Sequence, residues 1–402
     1  MWQIYRNQVV LLLIMMLLMV ACGEDEGQVL EAVVDLSEKT EGAVEEIEVD
    51  DGQNLSQTVV HEDSGLVEGQ KEERLINQVA EMSIEDKVGQ LFFLDLQSYE
   101  NTTIPAGGLI FFRHDLTTWE DTVQKIQDFQ QASQIPLFIS IDEEGGIVTR
   151  ITGDESIGGT VVDSSWNLAH SNVPGMVYQG SATIASELES LGFNMNFAPV
   201  ADVNSNPNNP IIGKRAFSDD PELTGQYVVE ALSAYKDFDV VPVVKHFPGH
   251  GNTQGDSHSD LVYIKGDMDY LLANELVPFI EAIEAGVQVI MMGHIILEDV
   301  PALEGQVASM NRGVIQGILV DTLGYEGLVI SDSLIMGSIS NHMTVEEVID
   351  QGLYAGLDLF LMPETPQIAY DYLLEQAKES DEVLARVEAS VLKILALKET
   401  MY

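Results

Sequence analysis

The chain has 402 residues, 45% of them hydrophobic, which is enough for one large domain or two average ones with a substantial core. Its 66 acidic residues against 18 basic ones give a formal net charge of −48, a balance that argues against nucleic acid or anionic lipid as a partner of the folded part. The only cysteine is Cys22, so no intrachain disulfide can form.

Residues 1–21 hold one basic residue, Arg6, then an uncharged run from Val9 to Val20, then Ala21-Cys22-Gly23. The pattern is that of a secretory signal peptide ending in a lipobox-like site, with Met19 at the position where an aliphatic residue is usual. The run is short for the roughly 20 residues a bilayer needs, and a lone thiol at this boundary suits lipid attachment. Cys22 is therefore expected to carry a lipid anchor on the extracytoplasmic face of a bacterial membrane, a retained helical anchor being the alternative. From Cys22 to Gln70, 15 Asp and Glu accompany one Lys, with no sustained apolar periodicity. Residues 22–70 thus read as a self-repelling, disordered tether. Without the tether and Arg6, residues 71–402 still hold 51 acidic and 16 basic residues, a net of −35.

In 71–402, short apolar segments predict strands at Leu91–Asp95, Gly108–Phe112, Leu137–Ile141, Asn194–Ala198, Val240–Val244, Val287–Met291, Leu328–Ile330 and Leu357–Leu361. Pro242 weakens the fifth, because it lacks a donor for the ladder. Helical periodicity covers 117–134, 177–191, 223–238, 270–285, 314–323, 345–354, 366–378 and 381–400. Eight strands alternating with helices favour a single α/β domain of the (β/α)8 TIM-barrel type over an open sheet.

In a barrel, chemistry sits just past the C-terminal ends of strands. After the third strand comes Asp142-Glu143-Glu144-Gly145-Gly146, with Arg150 downstream. After the fourth come Asp202 and then Lys214-Arg215-Ala216-Phe217. The fifth runs into Lys245-His246-Phe247-Pro248-Gly249-His250-Gly251, followed by Asp256-Ser257-His258. Pro248, Gly249, Gly251 and Gly255 break regular structure, so 245–261 is a loop delivering polar side chains. Asp256 lies close enough to hydrogen-bond Nδ1 of His258 and leave Nε2 to move a proton. His246, His250 and His258 also raise a zinc site, but Pro and Gly prevent the helical presentation of paired ligands and no thiolate is near. A purely structural loop is the other alternative. Gly327-Leu328-Val329-Ile330-Ser331-Asp332-Ser333 is a buried-type strand ending in a carboxylate. His294 reads as a hydrogen-bonded core histidine and Asp202 as a loop support.

The Lys-His-Phe-Pro-Gly-His-Gly run followed by Asp-Ser-His resembles the signature of glycoside hydrolase family 3, in its β-N-acetylglucosaminidase branch, and related stretches recur over most of 80–395. The resemblance implies the same barrel, with Asp332 as nucleophile and His258 with Asp256 as the acid/base dyad. It implies Asp142, Arg150, Arg215, Lys245 and His246 as sugar ligands, and no metal or organic cofactor. Asp142 and Arg150 read alternatively as loop residues without a role, and Lys245 as a partner for nearby carboxylates. Ser333 and Asn252 stand where relatives often carry Asp or Ala, and Asp, respectively. Many relatives have a second α/β domain, for which no room remains before Tyr402. The expected activity is release of terminal β-linked N-acetylglucosamine from cell-wall or chitin-type fragments. A β-N-acetylglucosaminide phosphorylase, a β-glucosidase, or an inactive lipid-anchored sugar-binding protein are the alternatives.

Overall fold

The computed structural model describes residues 59–401, residue 304 excepted. The expected signal peptide, Cys22 and most of the expected tether lie outside the described residues. The chain divides into two units, Met1–Gly69 and Gln70–Tyr402. A helix, Val59–Glu81, begins inside the stretch 22–70 that was expected to be disordered. The Gln, Lys, Glu and Arg residues from Gln70 onward are good helix formers, and Leu75 and Val79 are buried.

All eight expected strands are present in the second unit. They are β1 (Phe92–Asp95), β2 (Gly108–Phe111), β3 (Phe138–Ile141), β4 (Met195–Asn196), β5 (Val241–Phe247), β7 (Val289–Met292), β9 (Leu328–Ser331) and β10 (Phe360–Leu361), in the order β10-β1-β2-β3-β4-β5-β7-β9. Every pair is parallel. An Ile330 to Leu359 bridge and the bond from Ser331 N–H to Leu359 O, 3.1 Å, join the two ends of that order. The sheet is a (β/α)8 barrel. Its strands are apolar on both faces because side chains fill the inside and helices cover the outside. Pro242 sits within β5, where the N–H groups of Val241 and Val243 on either side of it bond Asn194 O at 2.9 Å and Ala198 O at 3.0 Å, so its missing donor is tolerated.

Two short strands were not expected: β6 (Val262–Ile264) and β8 (Ile295–Leu297), which pair in parallel. At three residues each they are too short for periodicity to mark them. They have a positional consequence, since β6 follows the 248–261 loop and ties down its far end. The helix expected over 270–285 is broken into Met268–Ala273 and Val277–Glu284, with Pro278 opening the second piece. Proline suits a first helical turn and not a helix interior. The break leaves Glu275 fully buried.

Candidate active site

At the C-terminal end of the barrel the strand-end loops enclose a cavity of about 600 Å³, a size usual for small-ligand sites. Asp142, Arg150, Arg215, Lys245, His246, His258 and Asp332 all line it, and Asp256 stands behind His258. The barrel thus gathers residues spread over 190 positions, as the strand-end argument expected.

Its floor is a charge network. Lys245 Nζ, buried at the end of β5, lies 2.7 Å from Asp142 Oδ1 and 2.7 Å from Glu144 Oε1. Arg215 grips Glu144 with both arms of its fork, Nε to Oε2 and Nη2 to Oε1, each at 2.8 Å. Burial alone would raise the Glu144 carboxyl, but the Arg215 and Lys245 charges outweigh it and hold the group well below the carboxylate range. Burial would likewise lower Lys245, yet Asp142 and Glu144 push it up. Glu143 turns the other way: its carboxylate accepts the N–H groups of Arg150 at 2.6 Å and Ile151 at 2.8 Å. That folds the loop back and sets Arg150 Nη2 3.7 Å from Asp142. Glu144 was not singled out from sequence. The signal was there, because an Arg and a Lys delivered to one buried place need a carboxylate between them.

Asp202, at the end of β4, is fully buried and holds two loops together. It bonds His246 Nδ1 at 2.7 Å and accepts the backbone N–H groups of His246 at 3.2 Å and His250 at 2.7 Å. Burial would raise its carboxyl; the His246 and His250 rings and the His246 N–H outweigh this and lower it. The loop-support role expected for Asp202 therefore extends to orienting His246, whose Nε2 faces Arg215 at 3.5 Å.

The histidines have distinct surroundings. His250 is buried with both ring nitrogens engaged, Nδ1 by Thr253 Oγ1 and Nε2 by Ser257 Oγ, each at 2.8 Å. Burial drives its pKa down to about 4, so the ring is neutral and internal to the loop. His294 is also buried, between Ser309 Oγ at 2.8 Å and Ser333 O at 3.0 Å, the core position expected for it. His258 differs. Its side chain is 62% exposed, its Nδ1 bonds Asp256 Oδ1 at 2.8 Å, and its Nε2 has no hydrogen-bond partner among the described residues. Asp256 also accepts the His258 N–H at 2.9 Å; burial would raise its carboxyl, and these bonds lower it instead. The backbone of the loop that carries His258 is attached at several points. Gly337 N–H donates to His258 O at 2.9 Å and Asn341 Nδ2 to Ser259 O at 3.2 Å. A side chain at Gly337 would put its Cβ 2.5 Å from Ser259 O, so only glycine lets the two segments meet. The segment after Asp332 thereby seats the backbone that carries His258.

Asp332 follows β9 and is partly buried, its backbone N–H bonded to Met292 O at 2.9 Å. Burial would raise its carboxyl, but the His246 and His294 rings, the Ser333 N–H and Lys245 hold it below the usual range. It is an ionised carboxylate at the cavity wall.

Beneath the loop, Glu275 receives only long bonds at Oε1, from Ser205 at 3.2 Å and Tyr270 at 3.4 Å, and its Oε2 has no partner. Burial pushes its pKa up to about 7, with the Asp202 charge adding to the shift. A group raised above its unfolded value, near 4.5, contributes stability that is full below about pH 4.5 and lost as pH rises through about 7. Glu275→Gln is expected to remove this dependence. Measured by denaturant unfolding, the variant gains on wild type by up to about 3 kcal/mol between pH 4.5 and pH 8. A difference that does not change with pH contradicts the assignment.

The chain matches the model described as glycosyl hydrolase family 3 N terminal domain over residues 83–397. It is 35% identical to Beta-hexosaminidase A of Pseudoalteromonas piscicida over 285 residues, covering 64% of this chain and 46% of that protein. It is 32% identical to Beta-hexosaminidase LpqI of Mycobacterium tuberculosis over 332 residues, covering 79% and 83% respectively. Among solved structures it resembles a family 3 β-N-acetylglucosaminidase from Paenibacillus sp. strain FPU-7. The TM-score is 0.74 at 36% identity, with 80% of this chain and 63% of that one covered. The chain therefore spans less than half the length of the Pseudoalteromonas protein and most of the mycobacterial one.

Proposed function

The chain belongs to glycosyl hydrolase family 3, and from that premise we propose that it is a retaining exo-β-N-acetylglucosaminidase. It would release terminal β-linked N-acetylglucosamine from cell-wall or chitin-type fragments. The observation that carries this reading is the pairing of an ionised Asp332 on the cavity wall with an exposed His258 backed by Asp256 on the same cavity.

Retaining cleavage needs a nucleophile beneath the anomeric carbon and a proton donor at the leaving oxygen, a pair usually made of two carboxylates about 5 Å apart. The other acidic groups after β3 are committed. Asp142 faces Lys245 and Arg150, Glu144 is held ionised by Arg215 and Lys245, and Glu143 is spent on backbone donors. His258 is the group left with an uncommitted nitrogen. In the first step Asp332 attacks C1, the C1–O bond breaks, and the Nε2 proton of His258 passes to the leaving oxygen. In the second, water attacks C1, gives its proton to His258 and frees Asp332. Asp256 holds the ring in the tautomer that exposes Nε2 and steadies the imidazolium. Asp142, Arg150, Arg215, Lys245 and His246 bind the sugar hydroxyls and amide, the four basic ones held in place by the Asp142, Glu144 and Asp202 carboxylates. Neither step calls for a metal or an organic cofactor. With Met1–Ala21 as signal peptide and Cys22 lipidated, the reaction runs outside the cytoplasm, at a membrane surface.

An imidazole tolerates a phosphate acceptor better than a second carboxylate does, so phosphorolysis is the rival outcome. Incubating β-1,4-linked N-acetylglucosamine disaccharide with the protein, with and without phosphate, separates the two. Free sugar in both buffers is the expected result. A sugar 1-phosphate formed only with phosphate contradicts hydrolysis, and binding without cleavage makes the protein a receptor.

A further inference from the structure

The functional reading leaves the apolar part of the cavity lining unassigned. Ile147, 76% exposed, stands on the turn after β3, and Ile335, 48% exposed, stands on the segment after Asp332. Single exposed aliphatic residues are ordinary. Here two of them, from different loops, line the same cavity as Asp332 and His258. Partly buried Phe112 and Ile211 and the buried Met336 continue that apolar lining.

The cations of the cavity tell the complementary story. Each one already faces a carboxylate: Lys245 faces Asp142 and Glu144, Arg215 faces Glu144, and Arg150 faces Asp142. Arg150 also lies over the Phe112 ring, 5.9 Å from its centroid. Around this balanced centre residues 71–402 carry a net charge of −35. An incoming anion finds no lining cation without a carboxylate beside it, and a surface field that repels it.

We propose that Ile147 and Ile335 form the subsite beyond the scissile bond, and that it takes an uncharged aglycone with an apolar face, such as the C–H face of a neutral pyranose or an aryl ring. Aglycones bearing a carboxylate are disfavoured, so of cell-wall and chitin-type fragments the chitin-type, with a neutral sugar past the bond, is the preferred class. The two isoleucines set specificity and do not touch the reacting atoms. The inference rests on the glycosidase reading above.

The test uses the full folded chain with three β-N-acetylglucosaminides: a 4-methylphenyl glycoside, a 4-(carboxymethyl)phenyl glycoside of similar leaving ability, and the glycosyl fluoride, which has no aglycone to place. Wild type is expected to favour the methylphenyl substrate over its carboxylate counterpart by about tenfold or more in kcat/KM. The Ile147→Ser, Ile335→Ser double variant is expected to lose about tenfold to a hundredfold in kcat/KM on the methylphenyl substrate, mostly through KM, and to keep wild-type activity on the fluoride. Equal wild-type activity on the two aryl substrates overturns the proposal. So does a double variant unchanged on the methylphenyl glycoside, or one that loses fluoride and aryl activity in parallel, since the isoleucines would then support the sugar site or the fold. Wild type inactive even on the fluoride defeats the glycosidase reading itself, an outcome distinct from the others.

Discussion

Asp332→Asn is expected to lower kcat on any β-N-acetylglucosaminide by about 10⁴-fold or more, the scale on which removal of a covalent nucleophile acts. The amide fills the same volume and still accepts the Ser333 N–H, which Asp332 takes at 2.7 Å. What it lacks is the charge that attacks C1. Because the surrounding His246, His294 and Lys245 favour the ionised form, the wild-type carboxylate is ready to react over the neutral pH range. Sugar binding, read by calorimetry with N-acetylglucosamine, is expected to persist in the variant. Retention of more than a hundredth of wild-type turnover removes Asp332 from the nucleophile's place.

His258→Ala gives the second large effect, and its size depends on the leaving group. For an aryl glycoside with a poor leaving group, kcat/KM is expected to fall by about 10²- to 10⁴-fold, the usual worth of a general acid. For an activated aryl group that departs without protonation, kcat/KM is expected to change little, while kcat falls as the glycosyl-enzyme waits for its base. Asp256→Asn is expected to show the same pattern at smaller size, because it removes the charge behind the ring and not the ring. Initial rates across a series of leaving groups check this. A His258→Ala loss of equal size for good and poor leaving groups contradicts an acid/base role and points to a part in sugar binding.

The barrel was legible because its strands are short, doubly buried runs with helical periodicity between them, and each such segment became a strand. The polar residues at their ends were legible for the same topological reason. Partnership between distant segments was harder to read. Glu144 stood in plain view beside Asp142, but nothing local marks it as the group that both Arg215 and Lys245 would seek. Glu275 became visible only through the helix break before Pro278, which periodicity over 270–285 hides. The seating of the His258 loop on Gly337 depends on contacts across some 80 positions, and a glycine kept for close approach looks like any loop glycine. Nothing local in the sequence marks Ile147 and Ile335, which only the fold sets on one cavity.

The most direct test of the account is the configuration of the sugar first released. Proton NMR followed from the start of a reaction with an aryl β-N-acetylglucosaminide, before mutarotation, resolves the two anomers. Double displacement through Asp332 predicts β-N-acetylglucosamine first, with the α anomer growing in only as the sugar equilibrates. The α anomer appearing first would mean direct attack by water and would contradict a covalent Asp332 intermediate.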